Sequence, residues 1–228
     1  MEFKPEVKVT LLDSFRHEPL DTIIGAARSC YSSKPITPTY MQDSIAKDQT
    51  GATAIRADDL FNAIKDAGHH TTIQHVHFVF GLDGISRQSI WAFLHDHPYY
   101  NSEQVSQRYV EMKQENFLRP QVDERFQKKF ETLLRYEMET YADLEDILRA
   151  PVSEEWYKVW TGRQNAVGKT QENYQKQIKK RIQEMARYAL PVAALAHMYH
   201  TINAVTLFRY HIMAEQGEVP AEGRIIIN

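Results

Sequence analysis

The sequence is poor in cysteine and lacks long apolar runs, and Cys30 is its single cysteine. One cysteine excludes an intrachain disulfide and a four-cysteine zinc site, and it fits the reducing cytoplasm. The longest apolar stretch runs from Leu190 to Tyr199, far short of the roughly 18 residues that a membrane-spanning helix needs. The first residues show none of the features of a signal peptide. We therefore predict a cytoplasmic protein without a membrane partner.

Neither sign of charge is in excess, because 27 Lys and Arg residues stand against 30 Asp and Glu residues. A formal net charge of −3 gives no positive field for nucleic acid. We therefore predict no nucleic-acid partner, and any anionic ligand must be met by local arginines. The sequence also lacks internal repeats, low-complexity tracts and linkers. We predict one compact domain over residues 1–228, of the α+β class.

Hydrophobic spacing predicts most of the secondary structure. Val7, Val9 and Leu11 alternate with polar residues and predict a first strand, and alternation over 75–82 predicts a second. Helical spacing predicts helices over 21–30, 57–67, 85 to a point before Pro98, 124–149, 169–187 and 203–213. Residues 33–55 and the polar, aromatic stretch after Pro98 are predicted to be loops.

Six of the ten histidines lie close together in the sequence, at His69, His70, His75, His77, His95 and His97. Imidazole is a common metal ligand and Glu103 follows soon after, which leaves a metal-binding enzyme open as an alternative. No spacing such as His-Glu-x-x-His is present, however, and alternating histidines are more often the exposed face of a strand. We therefore predict no metal site.

Two arginine-containing segments predict a pocket for an anion. Ser106 and Arg108 are two residues apart in SQRYV, and Arg187 opens the segment RYALP. A guanidinium group is a planar fork of donors and a nearby hydroxyl adds another donor, which suits phosphate. Each segment alone is more typical of a solvated turn or helix surface. Together they indicate an oxyanion site.

The order of several segments resembles that of the flavin-dependent thymidylate synthases. These segments are AARSCYSS (26–33), GHHTTIQHVHFVF (68–80), GISRQ (84–88), SQRYV (106–110), RYALP (187–191) and TINA (201–204). They follow the order and spacing of that family and leave out mainly residues 111–180. The resemblance implies the family's α+β fold, with a sheet flanked by long helices.

The resemblance also implies an activity. Members of the family methylate dUMP to dTMP, with methylenetetrahydrofolate as the one-carbon donor and FAD, reduced by NADPH, as the hydride carrier. They are homotetramers whose active sites lie at subunit interfaces. The chain is therefore expected to be a flavoprotein methyltransferase of dTMP biosynthesis, with dUMP as its small-molecule partner. The flavin and the folate then supply the chemistry, and the protein positions the pyrimidine.

Positions that match the family pattern are the candidate site residues. The expected catalytic residues are Ser106, Arg108, Arg187 and His211. The expected substrate-binding residues are Glu103, Gln104, Ser106, Arg108 and Arg187. The expected cofactor-binding residues are Cys30, His69, Thr71, His95, His97, Asn203 and Arg209.

The sequence departs from the family pattern at its hallmark arginines. His95-Asp96-His97 stands where the family has Arg-His-Arg, so two fixed charges become two titratable imidazoles. Flavin affinity is expected to be lower and to rise below about pH 6.5, where imidazole becomes protonated. Nearby, Ala92 replaces a glutamine and Val105 is an extra residue before the signature serine.

The segment after Asn203-Ala204 departs from the pattern as well. Val205 replaces an arginine, and the arginine expected on the pyrimidine falls on Ala214. His211 lies about one turn before Ala214 on the same helical face and is expected to substitute for it. These losses leave open a second alternative, a paralogue of the same fold that takes another nucleotide or serves as a non-catalytic partner subunit.

Overall fold

The structure is a computed structural model that describes residues 6–14, 18–30, 33, 57–95, 100–217 and 219–228. The chain forms two compact units, each discontinuous in sequence. Unit 1 comprises Met1–Glu6, Gly84–Ala92 and Gln104–His197, and unit 2 comprises Val7–Asp83, Phe93–Glu103 and Met198–Asn228. The single domain over 1–228 stays a prediction, because this division does not decide it.

Strands and helices are interspersed along the described parts of the chain, with one to three α-helices between successive strands. The strands are β1 (Lys8–Asp13), β2 (His77–Ser86), β3 (Tyr100–Gln104) and β4 (Leu195–Asn203). The helices are α1 (Pro19–Ser29), α2 (Ala57–Asp66), α3 (His70–Ile73), α4 (Arg87–Ser89), α5 (Glu124–Val159), α6 (Gly168–Ala186), α7 (Ala204–Gln216) and α8 (Ala221–Ile227). This mixture confirms the predicted α+β class.

The sheet has the strand order β1-β2-β4-β3, and most of its residues belong to unit 2. β1 pairs antiparallel with β2, so that Val9 lies opposite Leu82 and Leu11 opposite Phe80. A small core brings Ile23, Ile73, Val76 and Val205 together, with the ring of Phe61 packed against them. Ile23, Ile73 and Val205 come from α1, α3 and α7, and Val76 lies directly before β2.

Unit 1 contains the two long helices α5 and α6, which pack against each other. The side chain of Asp123 caps α5 by accepting a hydrogen bond from the Arg125 amide at 2.9 Å. Leu134 of α5 is buried in a core with Met112, Phe117 and Ala194. Within the described ranges, no helix is both long and apolar enough to cross a membrane.

The structure corrects three sequence predictions. Residues 85–93 are not one helix, because Gly84 takes a positive φ of 72° and β2 runs on to Ser86, leaving α4 and a π-helical turn at Ile90–Leu94. The polar stretch after Pro98 includes β3, since the sheet pairs it with β4. The strand β4, for which the sequence analysis made no prediction, lies in the apolar segment after Pro191.

The third correction concerns α5, which continues through Pro151 to Val159 instead of ending near residue 149. A proline removes one amide donor and its ring crowds the carbonyl four residues before it, and the packing of α5 on α6 outweighs both costs. The strands near 7–11 and 75–82 and the helices near 21–30, 57–67, 169–187 and 203–213 are confirmed. The loop predicted over 33–55 lies, apart from residue 33, outside the described residues.

Candidate functional site

Arg87 is fixed in unit 1 by the groups around its guanidinium. It begins α4, which the Ser86 hydroxyl caps by accepting a hydrogen bond from the Ser89 amide at 3.1 Å. Arg87 Nη1 donates to Gln104 Oε1 at 2.8 Å, and Nη2 donates to the Val105 carbonyl. Its Nε is buried and has no hydrogen-bond partner among the described residues. The side chain therefore keeps one buried donor unused.

Arg187 lies close enough to Arg87 for the two charges to interact. It opens the 3-10 turn Arg187–Ala189 that follows α6. Burial, and then the positive charge of Arg187, lower the pKa of Arg87. Within the described part of the chain neither arginine has a carboxylate partner. We name Arg87, Arg187, Gln104 and Ser106 the arginine subsite, because two neighbouring cations without a counter-charge attract an anion.

Ser106 and Arg108 are held by local contacts directly after the Val105 carbonyl. The Ser106 hydroxyl accepts a hydrogen bond from the Arg108 amide at 3.3 Å. Arg108 Nη1 donates to Glu184 Oε1 at 3.3 Å, and Glu184 also accepts from Arg181 at 2.8 Å. The hydrogen bond from Arg181 and the charge of Arg108 lower the pKa of Glu184. Glu184 is therefore a carboxylate that competes with any anion for Arg108.

A second polar cluster lies in unit 2, where rings from β3, β4 and α7 meet the end of the π-helical turn. The His95 ring stacks on the Tyr100 ring with their centres 4.7 Å apart. The His200 ring is parallel to the Tyr210 ring, with their centres 6.4 Å apart. His95 Nε2 and Ser102 Oγ are 2.8 Å apart, and the Tyr210 hydroxyl donates to the Leu94 carbonyl at 3.2 Å. We name His95, Tyr100, His200 and Tyr210 the imidazole cluster.

His200 is the most buried member of the imidazole cluster. It is 2% exposed, and neither ring nitrogen has a hydrogen-bond partner among the described residues. Burial and the nearby charge of His95 lower the pKa of His200 to about 4. Burial also lowers the pKa of His95. Both imidazoles are therefore neutral at pH 7.

Comparison with known proteins identifies the family. The family model for the thymidylate synthase complementing protein matches residues 10–227. The flavin-dependent thymidylate synthase of Clostridium tetani is 27% identical over 207 residues, which is 90% of this chain and 72% of that protein. That of Nitratidesulfovibrio vulgaris is 25% identical over 98% of this chain and 82% of its own length. The chain belongs to the flavin-dependent thymidylate synthase family.

Solved structures show the same fold. The structure of thymidylate synthase X from Helicobacter pylori, determined with FAD and dUMP, matches with a TM-score of 0.59 and 16% identity. The match covers 96% of this chain and 89% of that chain. The predicted flavin-dependent thymidylate synthase fold is confirmed, and the low identities make this chain a divergent member of the family.

The structure distributes the predicted site residues of this family member between the two units. Gln104, Ser106, Arg108 and Arg187 are in unit 1, and Glu103 and the described cofactor candidates are in unit 2. His97 lies outside the described residues. Gln104 is already bonded to Arg87, so its predicted contact with substrate runs through that arginine or competes with it. The roles of all these residues stay predictions.

Three of the candidates in unit 2 have structural roles as well. Asn203 is buried, and its Oδ1 accepts a hydrogen bond from the Thr206 amide at 2.9 Å, which caps α7. His211 Nε2 lies 3.3 Å from Glu215 Oε1, one turn along α7. His95 is engaged with Ser102 and Tyr100. Each of them reaches a ligand only with the atoms that these contacts leave available.

Sequence reasoning missed Arg87, although GISRQ was among the segments that carried the resemblance. The signal was its position at the end of an alternating strand, where a polar side chain leaves the sheet. It also missed a groove of about 750 Å³ in unit 1, lined by Arg108, Lys180 and the rings of Trp156 and Trp160 among others. That groove draws mainly on residues 111–180, which the resemblance did not cover.

The metal alternative finds no support in the described residues. Within those ranges no three His, Cys, Asp or Glu side chains converge as metal ligands. His77 is an exposed residue of β2, and His75 lies before that strand.

Proposed function

We propose that this chain methylates dUMP to dTMP as a homotetramer, with methylenetetrahydrofolate as the one-carbon donor, NADPH as the reductant and FAD as the bound hydride carrier. The arginine subsite is the observation that carries the proposal. A nucleotide monophosphate is close to doubly charged at pH 7 and supplies the counter-charge that Arg87 and Arg187 lack. Membership of the flavin-dependent thymidylate synthase family supports the reaction.

The chain's own groups then have distinct tasks. Arg187 and the unused Nε donor of Arg87 bind the phosphate, and the Ser106 hydroxyl adds a donor at close range. Arg108 changes partner from Glu184 to the substrate, because a dianion attracts a guanidinium group more strongly than one carboxylate does. Fixing the phosphate in this way orients the pyrimidine and holds its reacting carbon at one place.

The donors predicted to hold FAD fit a cofactor that carries two phosphates. Cys30, His69, Thr71 and Arg209 are exposed in unit 2. Within the described ranges the side chains of His69, Thr71 and Arg209 have no recorded partner, so their donors are available. FAD supplies hydride transfer when it is bound. Neutral His95 offers a hydrogen bond to that cofactor where the family has a charged arginine.

The experiment is tritium release from dUMP labelled at C5, with NADPH, methylenetetrahydrofolate and FAD present. We expect release that requires all three and that falls steeply in Ser106→Ala. Arg149→Ala is the matched control, since Arg149 is an exposed residue of α5 paired with Asp146 at 2.9 Å. Folded protein that binds FAD and dUMP but releases no tritium would contradict the reaction and favour the paralogue without thymidylate synthesis.

A further inference from the structure

One face of α5 in unit 1 carries a stripe of exposed apolar side chains. Phe126, Leu133, Tyr136 and Ile147 are 49%, 53%, 66% and 69% exposed. Phe126, Leu133 and Ile147 are separated by multiples of seven residues, and Tyr136 follows Leu133 by three, so the four share one face of the helix over about 32 Å. Leu134 and Tyr141, which α5 buries, lie on a different face. We name Phe126, Lys129, Leu133, Tyr136, Thr140, Asp143 and Ile147 the α5 stripe.

The charges along α5 change sign at the middle of the α5 stripe. Residues 124–135 carry four cationic and two acidic side chains, whereas residues 136–147 carry five acidic side chains and no cationic one. Within the α5 stripe, Lys129 and Asp143 each lie seven residues from Tyr136. Lys129 Nζ lies 6.0 Å from the centre of the Phe126 ring, and neither charge has an ion-pair partner among the described residues.

We propose that the α5 stripe is an interface that binds the α5 stripe of a second copy of this chain, antiparallel and about a two-fold axis near Tyr136. In this arrangement Lys129 comes within about one turn of Asp143 of the partner subunit, and the reverse pair forms by symmetry. Apolar side chains at both ends of the stripe are then covered. A parallel pair would instead set the acidic halves against each other.

The surface next to the stripe gives the second copy a place to pack. A shallow depression of about 490 Å³ is lined by Lys128, Lys129, Thr132, Leu133 and Tyr136. An apolar side chain that enters it removes area from water, worth roughly 25 cal/mol per Å². The acidic half of the stripe argues against an anionic lipid surface as the occupant, because that half would be repelled. The self-complementary charge favours a second copy.

The test measures the mass of the assembly and does not depend on the proposed reaction. Sedimentation velocity of the full chain should show a multimer. Lys129→Glu places two acidic groups together at each end of the interface, and Asp143→Lys places two cations there. Each variant should halve the mass of the assembly. The combined variant Lys129→Glu, Asp143→Lys restores opposite charges across an antiparallel interface and should restore the mass.

Arg135→Glu is the matched control, because it makes the same charge change on another face of α5. It should leave the mass unchanged, and circular dichroism should show equal helix content in all variants. A monomeric wild-type chain would overturn the proposal. So would unchanged mass in Lys129→Glu, or failure of the combined variant to recover while it remains folded.

Discussion

The arginine subsite and the imidazole cluster both contain buried nitrogens without a hydrogen-bond partner among the described residues, but only the imidazole is able to become neutral. These nitrogens are Nε in Arg87 and both ring nitrogens in His200. Arginine cannot discharge, so its missing partner must be an anion. Histidine can lose its proton, and His200 does so. A partly buried cation without a counter-charge therefore indicates a binding site, whereas a buried imidazole without a hydrogen-bond partner indicates a group that is kept neutral.

The largest expected effect is on dUMP affinity, in a variant that disrupts the arginine subsite. Arg187→Ala should weaken dUMP binding by about a hundredfold, since charge-assisted hydrogen bonds contribute roughly 1.5–3 kcal/mol each. The free energy of unfolding should not fall, because the Arg187 side chain contacts the Tyr188 ring within the described residues and its charge repels that of Arg87. Calorimetric titration with dUMP and urea unfolding measure the two quantities. Unaltered dUMP affinity would remove Arg187 from the site.

The second prediction concerns the imidazole cluster. It is a change in the free energy of unfolding with pH, not a change in ligand affinity. His200 has its pKa lowered to about 4 from 6.5, so the unfolded chain binds the proton more readily than the folded chain does. The contribution of His200 to the free energy of unfolding is fully present above pH 6.5 and is lost as the pH falls toward 4. We expect a loss of about 2 kcal/mol between pH 7 and pH 5, at about 1.4 kcal/mol per pH unit.

Urea unfolding of the wild type and of His200→Phe over that pH range tests this expectation. The variant removes two unpaired nitrogens and keeps a ring between Tyr100 and Tyr210. It should therefore be at least as stable as the wild type at pH 7 and should lose less stability at pH 5. An identical pH dependence in both proteins would show that other groups cause the loss.

The smallest expected effect concerns flavin affinity and His95 of the imidazole cluster. Sequence alone predicted a rise below about pH 6.5, but burial lowers the pKa of His95, so its part of the rise should begin at lower pH. We expect nearly constant affinity from pH 8 to pH 6.5 and a severalfold increase below that. Flavin fluorescence measures it. In His95→Gln, which cannot titrate, the increase should shrink; an undiminished increase would argue against His95 as the sensing group.

Sequence patterns predicted the parts of the fold that rest on local periodicity. The strand near residues 75–82 and the amphipathic helices were predicted because one face of each is apolar. β3 was missed because its residues alternate weakly, and pairing with β4 is what makes it a strand. The extension of α5 through Pro151 was missed for a similar reason, since packing on α6 overrides a local signal.

The residue types of the candidate site were predictable from the sequence, but the contacts that these residues make were not. Ser106, Arg108 and Arg187 followed from motifs whose residue types suit an oxyanion. The bond from Arg87 to Gln104 joins residues that are far apart in sequence, and no local pattern encodes it. The competition between Glu184 and an anion for Arg108 is likewise a long-range contact. Asn203 shows the converse, because a residue expected to touch FAD also caps a helix.

The strand order has a consequence for how this protein is made. β4 lies between β2 and β3, yet both of those strands leave the ribosome long before it does. Until residue 203 has emerged from the exit tunnel, the edges of β2 and β3 that β4 later covers therefore stay open and are able to pair with other chains. Insertion of a late strand at the centre also makes folding depend on distant contacts, which slows it. Translation of this chain is a stage at which chaperones have a surface to protect.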